Sequence, residues 1–203
     1  MSGIKCSPMN INLLILGNCN VGKSCFIYRY VKEKFMPYTF TTIGFDCLKK
    51  NIKTPSGKNT KIIFYDTAGL ERYNTIAFNL INNADGVLVM YDITDISTFQ
   101  KVQSWIESIT ERKGKNFPIV LVGNKCDLTD KRVVSKEEGE KEAKNYGFPF
   151  FETSCKDNIN IEKTINSIVN IISEEKYQTK IYSTKTMKLE KKKLKTKKTK
   201  CKC

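Results

Sequence analysis

The chain has 203 residues, 40% of them hydrophobic, and carries a formal net charge of +14. This length suits one domain with extensions, and the composition is that of a globular protein. The absence of histidine excludes a histidine general base, a Ser-His-Asp triad and most zinc sites. No apolar run approaches the about 18 residues that a transmembrane helix needs. Eight scattered cysteines do not make a disulfide framework, which favours the cytosol.

Strands and helices alternate along the chain, which is typical of a parallel sheet with helices on both faces. The predicted strands are Ile11–Leu16, Phe45–Lys53, Thr60–Tyr65, Val87–Tyr91, Ile119–Val122 and Phe150–Thr153. The predicted helices are Lys23–Lys32, an irregular turn or helix within Arg72–Asn82, Thr98–Glu111, Lys136–Tyr146 and Ile161–Ser173. A Pro-Ser-Gly-Lys turn over residues 55–58 predicts a hairpin between the second and third strands. The fold class is therefore α/β, with a six-stranded, mostly parallel sheet.

The lysines divide the chain into parts. Residues 176–203 contain 12 lysines and one glutamate, a net charge of +11, so residues 1–175 carry only +3. Few apolar residues accompany these lysines, and such a composition predicts disorder. We therefore expect an N-terminal extension over residues 1–8, a globular domain over residues 9–175 and a disordered Lys-rich tail over residues 176–203.

A glycine loop lies between the first strand and the first helix. Its sequence, Gly17-Asn18-Cys19-Asn20-Val21-Gly22-Lys23-Ser24, has the pattern G-x-x-x-x-G-K-[ST]. In this context the backbone N–H groups and the helix N-terminus predict a phosphate site. Lys23 would reach the β- and γ-phosphates, and the Ser24 hydroxyl would bind Mg²⁺. The alternative is an ordinary strand-to-helix turn that contains glycine.

A second motif that could contact the phosphates, Asp66-Thr67-Ala68-Gly69, follows the third strand. Asp66 could hold Mg²⁺ through a water, and the Gly69 N–H could meet the γ-phosphate. Upstream, the Thr42 hydroxyl could complete the Mg²⁺ shell when a γ-phosphate is present, and Phe35 could pack edge-on against the base. The alternatives are that the Asp-Thr-Ala-Gly motif is a common turn, that Thr42 is a residue of high β-propensity and that Phe35 is a core aromatic.

Two further motifs predict recognition of guanine. Asn124-Lys125-Cys126-Asp127 follows the fifth strand, and Asp127 could accept hydrogen bonds from guanine N1–H and the 2-amino group. Adenine would leave that carboxylate unpaired, and such sites reject the wrong base by roughly 10⁴-fold or more. Ser154-Cys155-Lys156 follows the sixth strand, where the central N–H would meet guanine O6. Alone, each motif could be a plain loop.

The order and spacing of these motifs resemble the Ras superfamily of small GTPases, and within it the Rab family, over about residues 9–175 and the terminal Cys-x-Cys. The resemblance implies a P-loop NTPase fold of the small GTPase type, with bound GTP or GDP and Mg²⁺. It implies catalytic roles for Lys23, Thr42 and Gly69, and metal binding by Ser24, Thr42 and Asp66. The implied nucleotide-binding residues are Gly17, Cys19, Asn20, Val21, Gly22, Lys23, Ser24, Cys25, Phe35, Thr42, Gly69, Asn124, Lys125, Asp127, Ser154, Cys155 and Lys156.

Several residues depart from the family pattern. Leu70 stands where the family has the Gln that orients the attacking water, which puts intrinsic hydrolysis in doubt. Asn20 replaces a usual Gly, although Asn tolerates positive φ better than most residues. Cys19 replaces a small Ser or Gly beside the γ-phosphate. The family's exposed aromatic triad falls at Cys47, Tyr65 and Leu80, so partner choice should be unusual.

The resemblance extends to the end of the chain, where Cys201 and Cys203 are similar to the Rab signal for double geranylgeranylation. It implies a monomeric switch that cycles between cytosol and the cytoplasmic face of endomembranes in vesicle-mediated transport. The implied partners are an exchange factor, a TBC-type activating protein, a GDP-dissociation inhibitor, an escort protein and effectors. One alternative is a GTP-binding recruitment module with little or no hydrolysis. A second alternative is a solvated basic tail whose cysteines are incidental. A third is a nucleic-acid adaptor, but the Cys-x-Cys end argues against it, so no nucleic-acid partner is expected.

Overall fold

The computed structural model describes residues 9–36, 45–54, 57, 59–67 and 74–176. Its strands are β1 (Met9–Leu16), β2 (Phe45–Lys53), β3 (Asn59–Thr67), β4 (Gly86–Asp92), β5 (Ile119–Asn124) and β6 (Phe150–Thr153). Its helices are α1 (Lys23–Lys32), α2 (Asn74–Asn83), α3 (Ile96–Gln100), α4 (Val102–Lys113), α5 (Lys136–Tyr146) and α6 (residues 161–176). A 3₁₀ turn covers Thr129–Lys131.

The six strands form one sheet in the order β2-β3-β1-β4-β5-β6. β2 pairs with β3 in antiparallel fashion, as the predicted hairpin requires, and every other pairing is parallel. The predicted fold class is confirmed. The chain places β2 and β3 on one side of β1 and β4, β5 and β6 on the other, so the strand order reverses at β1. The switch point therefore lies at the carboxyl end of β1. Open α/β sheets bind their ligands at such a switch point.

Side-chain alternation along β1 builds two cores, one on each face of the sheet. Ile11, Leu13 and Ile15 are fully buried in the cluster that also contains apolar residues of α1 and α6. Leu14 and Leu16 are buried in the cluster that contains residues of α2, α4 and α5. β4 and β5 are buried along their whole length, as central parallel strands covered on both faces are. The carboxyl edge of the sheet is thereby held rigidly.

The predicted helix Thr98–Glu111 is wrong in its boundaries. It begins earlier because the Asp95 side chain accepts a hydrogen bond from the Ser97 N–H at 2.9 Å and caps α3. A turn at Lys101 then separates α3 from α4. In contrast, the capping box predicted at Ser135 and Glu138 is confirmed at the start of α5.

The last helix extends beyond its predicted end at Ser173 and continues to residue 176. The Lys176 ammonium lies 2.8 Å from the Asp85 carboxylate and donates to the Asn10 carbonyl at 3.0 Å. This contact fastens the end of α6 to the start of β1, so Lys176 is part of the folded domain rather than of the tail. No helix among the described residues is long and apolar enough to cross a membrane.

Candidate nucleotide-binding site

The loop between β1 and α1 has the backbone that the glycine motif predicts. Gly17 has φ 149° and Gly22 has φ 98°, both outside the range that most residues adopt. A Cβ at Gly17 would lie 2.1 Å from the Met90 carbonyl oxygen, so no other residue fits there. Asn20 has φ 63°, the left-handed conformation that its side chain tolerates.

The Lys23 ammonium lies inside this loop. The side chain is 5% exposed and donates hydrogen bonds to the Gly17 and Asn18 carbonyls, both at 2.7 Å. Lys23 is also the first residue of α1, whose N-cap, Gly22, has no side chain to cap it. A fixed cation and the positive end of a helix dipole together suit an anion such as phosphate.

Asn124 joins the phosphate loop to the loop that follows β6. Its side chain is buried, and its Nδ2 donates to the Val21 carbonyl at 2.8 Å. Its Oδ1 accepts from the Thr153 hydroxyl at 3.0 Å and from the Cys155 thiol at 3.5 Å. The sequence predicts a nucleotide-binding role for Asn124, and the structure shows that its side-chain amide holds three segments in register.

The Asp127 carboxylate is held by the loop that follows β6. Ser154 Oγ donates to Asp127 Oδ1 at 2.6 Å and accepts from the Asp157 N–H at 3.0 Å. Lys125 adopts φ 68°, and its ammonium lies 2.6 Å from the Asp92 carboxylate at the end of β4. Three motifs that are far apart in sequence thus meet at one edge of the sheet.

Cys155, the middle residue of the predicted Ser-Cys-Lys guanine motif, is buried. It is 5% exposed, and burial raises the pKa of its thiol to about 12, so the thiol stays neutral at physiological pH. Lys156, next to it, is exposed. The main chain at Cys155 therefore offers a fixed position for recognition of a base.

Arg29 is a site residue that the sequence analysis missed. Its Nε donates to the Cys155 carbonyl at 2.6 Å and its Nη2 to the Lys156 carbonyl at 2.7 Å. Its guanidinium carbon lies 5.8 Å from the centroid of the Phe35 ring, which is 37% exposed. The planar fork of arginine thereby connects α1, the loop after β6 and Phe35, the aromatic predicted to pack edge-on against the base. No motif marks Arg29, since it follows the phosphate loop as an ordinary helix residue.

The residues proposed to hold Mg²⁺ are only partly described. Ser24 lies half-buried in the first turn of α1, and Asp66, 2% exposed, pairs with Ile15 across β3 and β1. A hydroxyl and a carboxylate are oxygen donors of the kind that Mg²⁺ prefers. The described residues contain no group of three or more His, Cys, Asp or Glu side chains that could hold a metal. The Ser24 hydroxyl and the Asp66 carboxylate nevertheless fit Mg²⁺, because this ion is usually bound by one or two protein groups together with substrate phosphates.

Five residues of the sequence-based site lie outside the described residues: Thr42, Gly69, Leu70, Cys201 and Cys203. Cys19 is exposed, and the Cys25 thiol contacts the Met36 carbonyl at 3.7 Å. Apart from Phe35, which follows α1, the remaining predicted nucleotide-binding residues lie in the phosphate loop and first turn of α1, at the end of β5, or in the loops after β5 and β6. A phosphate loop that opens a helix, together with an Asp-bearing loop two strands away, defines a P-loop nucleotide-binding protein.

Comparison with known proteins identifies the family. Residues 12–174 match the Ras family. Ras-related protein Rab-3A of Homo sapiens is 44% identical over 163 residues, which are 80% of this chain and 74% of the relative. Rab-3C of Bos taurus is 42% identical over 163 residues (80% and 71%), and SEC4 of Candida albicans is 39% identical over 173 residues (85% and 82%). The chain belongs to the Ras family and, within it, is a Rab-type small GTPase. It therefore binds GDP and GTP and hydrolyses GTP.

Proposed function

We propose that this chain is a Rab-like switch on the cytoplasmic faces of endomembranes, which cycles with the cytosol and recruits effectors in vesicle-mediated transport. The observation that carries the proposal is the joined guanine and phosphate site, in which Asn124 connects the loop holding Lys23 to the loop holding Asp127. Relatives named Rab-3A and SEC4 support the same assignment. The regulators would be an exchange factor, a TBC-type activating protein, a GDP-dissociation inhibitor and an escort protein.

Different residues would bind the phosphates, the guanine base and the Mg²⁺ ion. Lys23 would neutralise the β- and γ-phosphates from the position in which two carbonyls already hold it. Asp127 would accept from guanine N1–H and the 2-amino group, with its orientation set by Ser154. Ser24, Thr42 and Asp66 would hold Mg²⁺, which neutralises phosphate charge when bound. The Gly69 N–H would meet the γ-phosphate.

Guanine selectivity tests the proposal directly. Asp127→Asn should shift preference away from GTP, because an amide offers an acceptor and a donor where guanine needs two acceptors. Competition between GTP and ATP for the wild-type protein and the variant measures the shift. Comparable wild-type affinities for GTP and ATP would contradict a guanine-specific site.

Leu70 supports a second candidate function, a recruitment module that binds GTP and hardly hydrolyses it. Leucine can neither donate nor accept a hydrogen bond, so it cannot orient the attacking water as the usual Gln does. Intrinsic hydrolysis should therefore be slow and should rise in Leu70→Gln. Phosphate release in a single turnover at saturating Mg²⁺ reads this out, and equal rates for both proteins would show that position 70 does not limit hydrolysis.

A TBC-type activating protein separates the two candidate functions. Such proteins are expected to supply both an arginine and a glutamine in trans, which would replace the missing side chain. Stimulated turnover of the wild-type chain would support a cycling switch. Slow hydrolysis that no activator accelerates would support the recruitment module.

Two lipids and the Lys-rich tail would hold the chain on the membrane. One lipid chain gives marginal binding, whereas two signals give stable anchoring. Salt separates the contributions, because the Debye length falls from about 10 Å at 0.1 M to 3 Å at 1 M while lipid insertion is unaffected. Removing Cys201 and Cys203 together should leave binding to anionic vesicles that disappears at high salt. If that variant sediments with vesicles at 1 M salt as well as the wild type does, the lipid anchor is wrong.

A further inference from the structure

The hairpin formed by β2 and β3 has an unbalanced charge. Residues 47–65 contain five lysines and no aspartate or glutamate. The domain as a whole carries only +3 over residues 1–175. Because the hairpin contributes +5 to a total of +3, the remainder of residues 1–175 carries a net charge of −2, so the hairpin is a local concentration of positive charge.

Three of these lysines lie on one face of the hairpin. The register places Lys49 opposite Ile63, Asn51 opposite Lys61 and Lys53 opposite Asn59, so all of these side chains share a face. Lys49 and Lys53 are exposed and Lys61 is half-buried. On the opposite face, Leu48 and Ile52 pack against the core. We call Lys49, Lys53 and Lys61 the basic face.

The charge of the basic face is not neutralised within the described residues. Lys50, on the opposite face, has a partner, because its ammonium lies 3.2 Å from Glu33 and 4.6 Å from the centroid of the Tyr30 ring. None of the ion pairs among the described residues involves Lys49, Lys53 or Lys61. These three ammonium groups are therefore available to an anionic surface.

The basic face lies beside the start of the Lys-rich tail. Lys61 is the cross-strand neighbour of Asn10, and the Asn10 carbonyl accepts the hydrogen bond from Lys176, the last residue of α6 that the structure describes. Neighbouring strands are about 4.8 Å apart. The Lys176 ammonium therefore lies about one strand from Lys61, at the end of the sheet opposite the phosphate loop. The residues that follow, 177–203, add eleven further lysines.

We propose that the basic face binds the anionic phospholipid headgroups of the membrane that the tail anchors. This inference rests on the proposed membrane anchor and adds an orientation to it. With Lys53 and Lys61 against the leaflet, the carboxyl edge of the sheet points away from the bilayer, and the nucleotide stays accessible to regulators. Lysines near an anionic leaflet each strengthen binding about fivefold, at about 1 kcal/mol each.

The experiment compares two triple variants that remove the same charge. K49Q/K53Q/K61Q neutralises the basic face. K101Q/K131Q/K141Q neutralises three exposed lysines, in the turn before α4, in the 3₁₀ turn and in α5, none of which lies on the hairpin. The unlipidated full chain, loaded with GDP, is titrated with vesicles containing phosphatidylserine at low salt. We expect the first triple to bind on the order of 100-fold more weakly than the second, since each of the three lysines contributes about fivefold. Equal losses in both triples would overturn the proposal, because only total charge would then matter.

Lysine acylation on vesicles gives the second readout. On the doubly geranylgeranylated chain, Lys49, Lys53 and Lys61 should be acylated several-fold more slowly on phosphatidylserine vesicles than on pure phosphatidylcholine vesicles. Lys101, Lys131 and Lys141 should be acylated at equal rates on both. Unchanged acylation of the basic face would overturn the proposal.

The controls keep the two membrane proposals apart. Failure of the geranylgeranylated chain to sediment with vesicles at 1 M salt would contradict the lipid anchor, whereas the titration of the unlipidated chain would still test the basic face. Unchanged GDP affinity and thermal midpoint show that both triples are folded. If K49Q/K53Q/K61Q binds vesicles normally but loses binding to polyglutamate, the basic face serves an acidic protein and the membrane proposal is wrong.

Discussion

Arg29 illustrates how a single side chain can position a binding loop. Two of its guanidinium nitrogens donate to consecutive carbonyls, those of Cys155 and Lys156, while the N–H of Cys155 would meet guanine O6. The same guanidinium lies over Phe35. Arginine presents these donors in one rigid plane, which lysine cannot reproduce. We therefore infer that Arg29 positions the loop whose N–H would meet guanine O6.

Arg29→Lys should accelerate the dissociation of GDP. The variant keeps the charge but loses at least one of the two bonds, and a hydrogen bond to a charged group is worth about 1.5–3 kcal/mol. We expect dissociation to become about tenfold faster or more, as measured by the release of a fluorescent GDP analogue.

The matched control is Lys32→Gln, which changes an exposed residue in the last turn of the same helix and should leave the dissociation of GDP unchanged. A rate in Arg29→Lys that equals the wild-type rate would show that the two carbonyl contacts do not govern guanine binding.

Among the helices, α5 depends most clearly on its N-terminal capping box for its stability. Ser135 Oγ accepts from the Glu138 N–H at 3.2 Å, and the Glu138 carboxylate accepts from the Ser135 N–H at 2.8 Å. Gly147, with φ 75°, ends the helix. Only Gly139 and Ala143 of α5 are buried, so packing contributes little and the cap has correspondingly more weight.

Ser135→Ala should lower the free energy of unfolding by about 1 kcal/mol, measured by urea denaturation at pH 7. Hydrogen bonds from Ser135 lower the pKa of Glu138 below its ordinary value of 4.5. A lowered carboxylate pKa contributes stability above pH 4.5 that is lost as the pH falls through the lower folded value. The difference between the two proteins should therefore shrink in acid.

Ser104→Ala in α4 is the control, because Ser104 Oγ donates to a helical carbonyl and caps no N–H group. A pH-independent difference between Ser135→Ala and the wild type would rule out the ionised Glu138 as the partner.

At the scale of the whole molecule, burial of ionisable groups limits stability in alkali. Burial raises the pKa of Cys155 from 9.0 to about 12 and that of Tyr30 from 10.0 to about 12, the latter with a smaller contribution from Glu162. Burial also raises the pKa of Tyr91. Between pH 9 and 12 the unfolded chain releases protons that the folded chain keeps, so rising pH favours unfolding.

The free energy of unfolding should accordingly be flat below pH 9 and should fall above it, by up to about 1.4 kcal/mol per pH unit for each group. Cys155→Ala should reduce the decline that begins near pH 9, to which Cys126 also contributes because burial raises its pKa, and Cys47→Ala, at an exposed site, should not. Urea denaturation of the three GDP-loaded proteins from pH 7 to pH 10.5 measures the difference. Parallel pH profiles for all three would contradict a buried, neutral Cys155.

Local patterns in the sequence predicted most of the fold. The glycine loop, the hairpin turn and the capping box at Ser135 are encoded by residues close together in the chain, whose backbone preferences do not depend on distant partners. The central strands β1, β4 and β5 were found because buried parallel strands are continuous apolar runs. The start of α3 was missed because the Asp95 cap sets it rather than apolar periodicity, and no local pattern marked the turn at Lys101 that separates α3 from α4.

Contacts between distant segments decided the rest. Arg29 lies 126 residues before Cys155, and Asn124 lies 103 residues after Val21, so no local pattern reveals either contact. The ion pairs of Lys125 with Asp92 and of Lys176 with Asp85 likewise depend on which strand ends are neighbours. The sequence by itself determined which chemical groups are present and which local turns they adopt. Only the tertiary structure decided which of them meet, because strand order brings together the ends of strands that the chain keeps far apart.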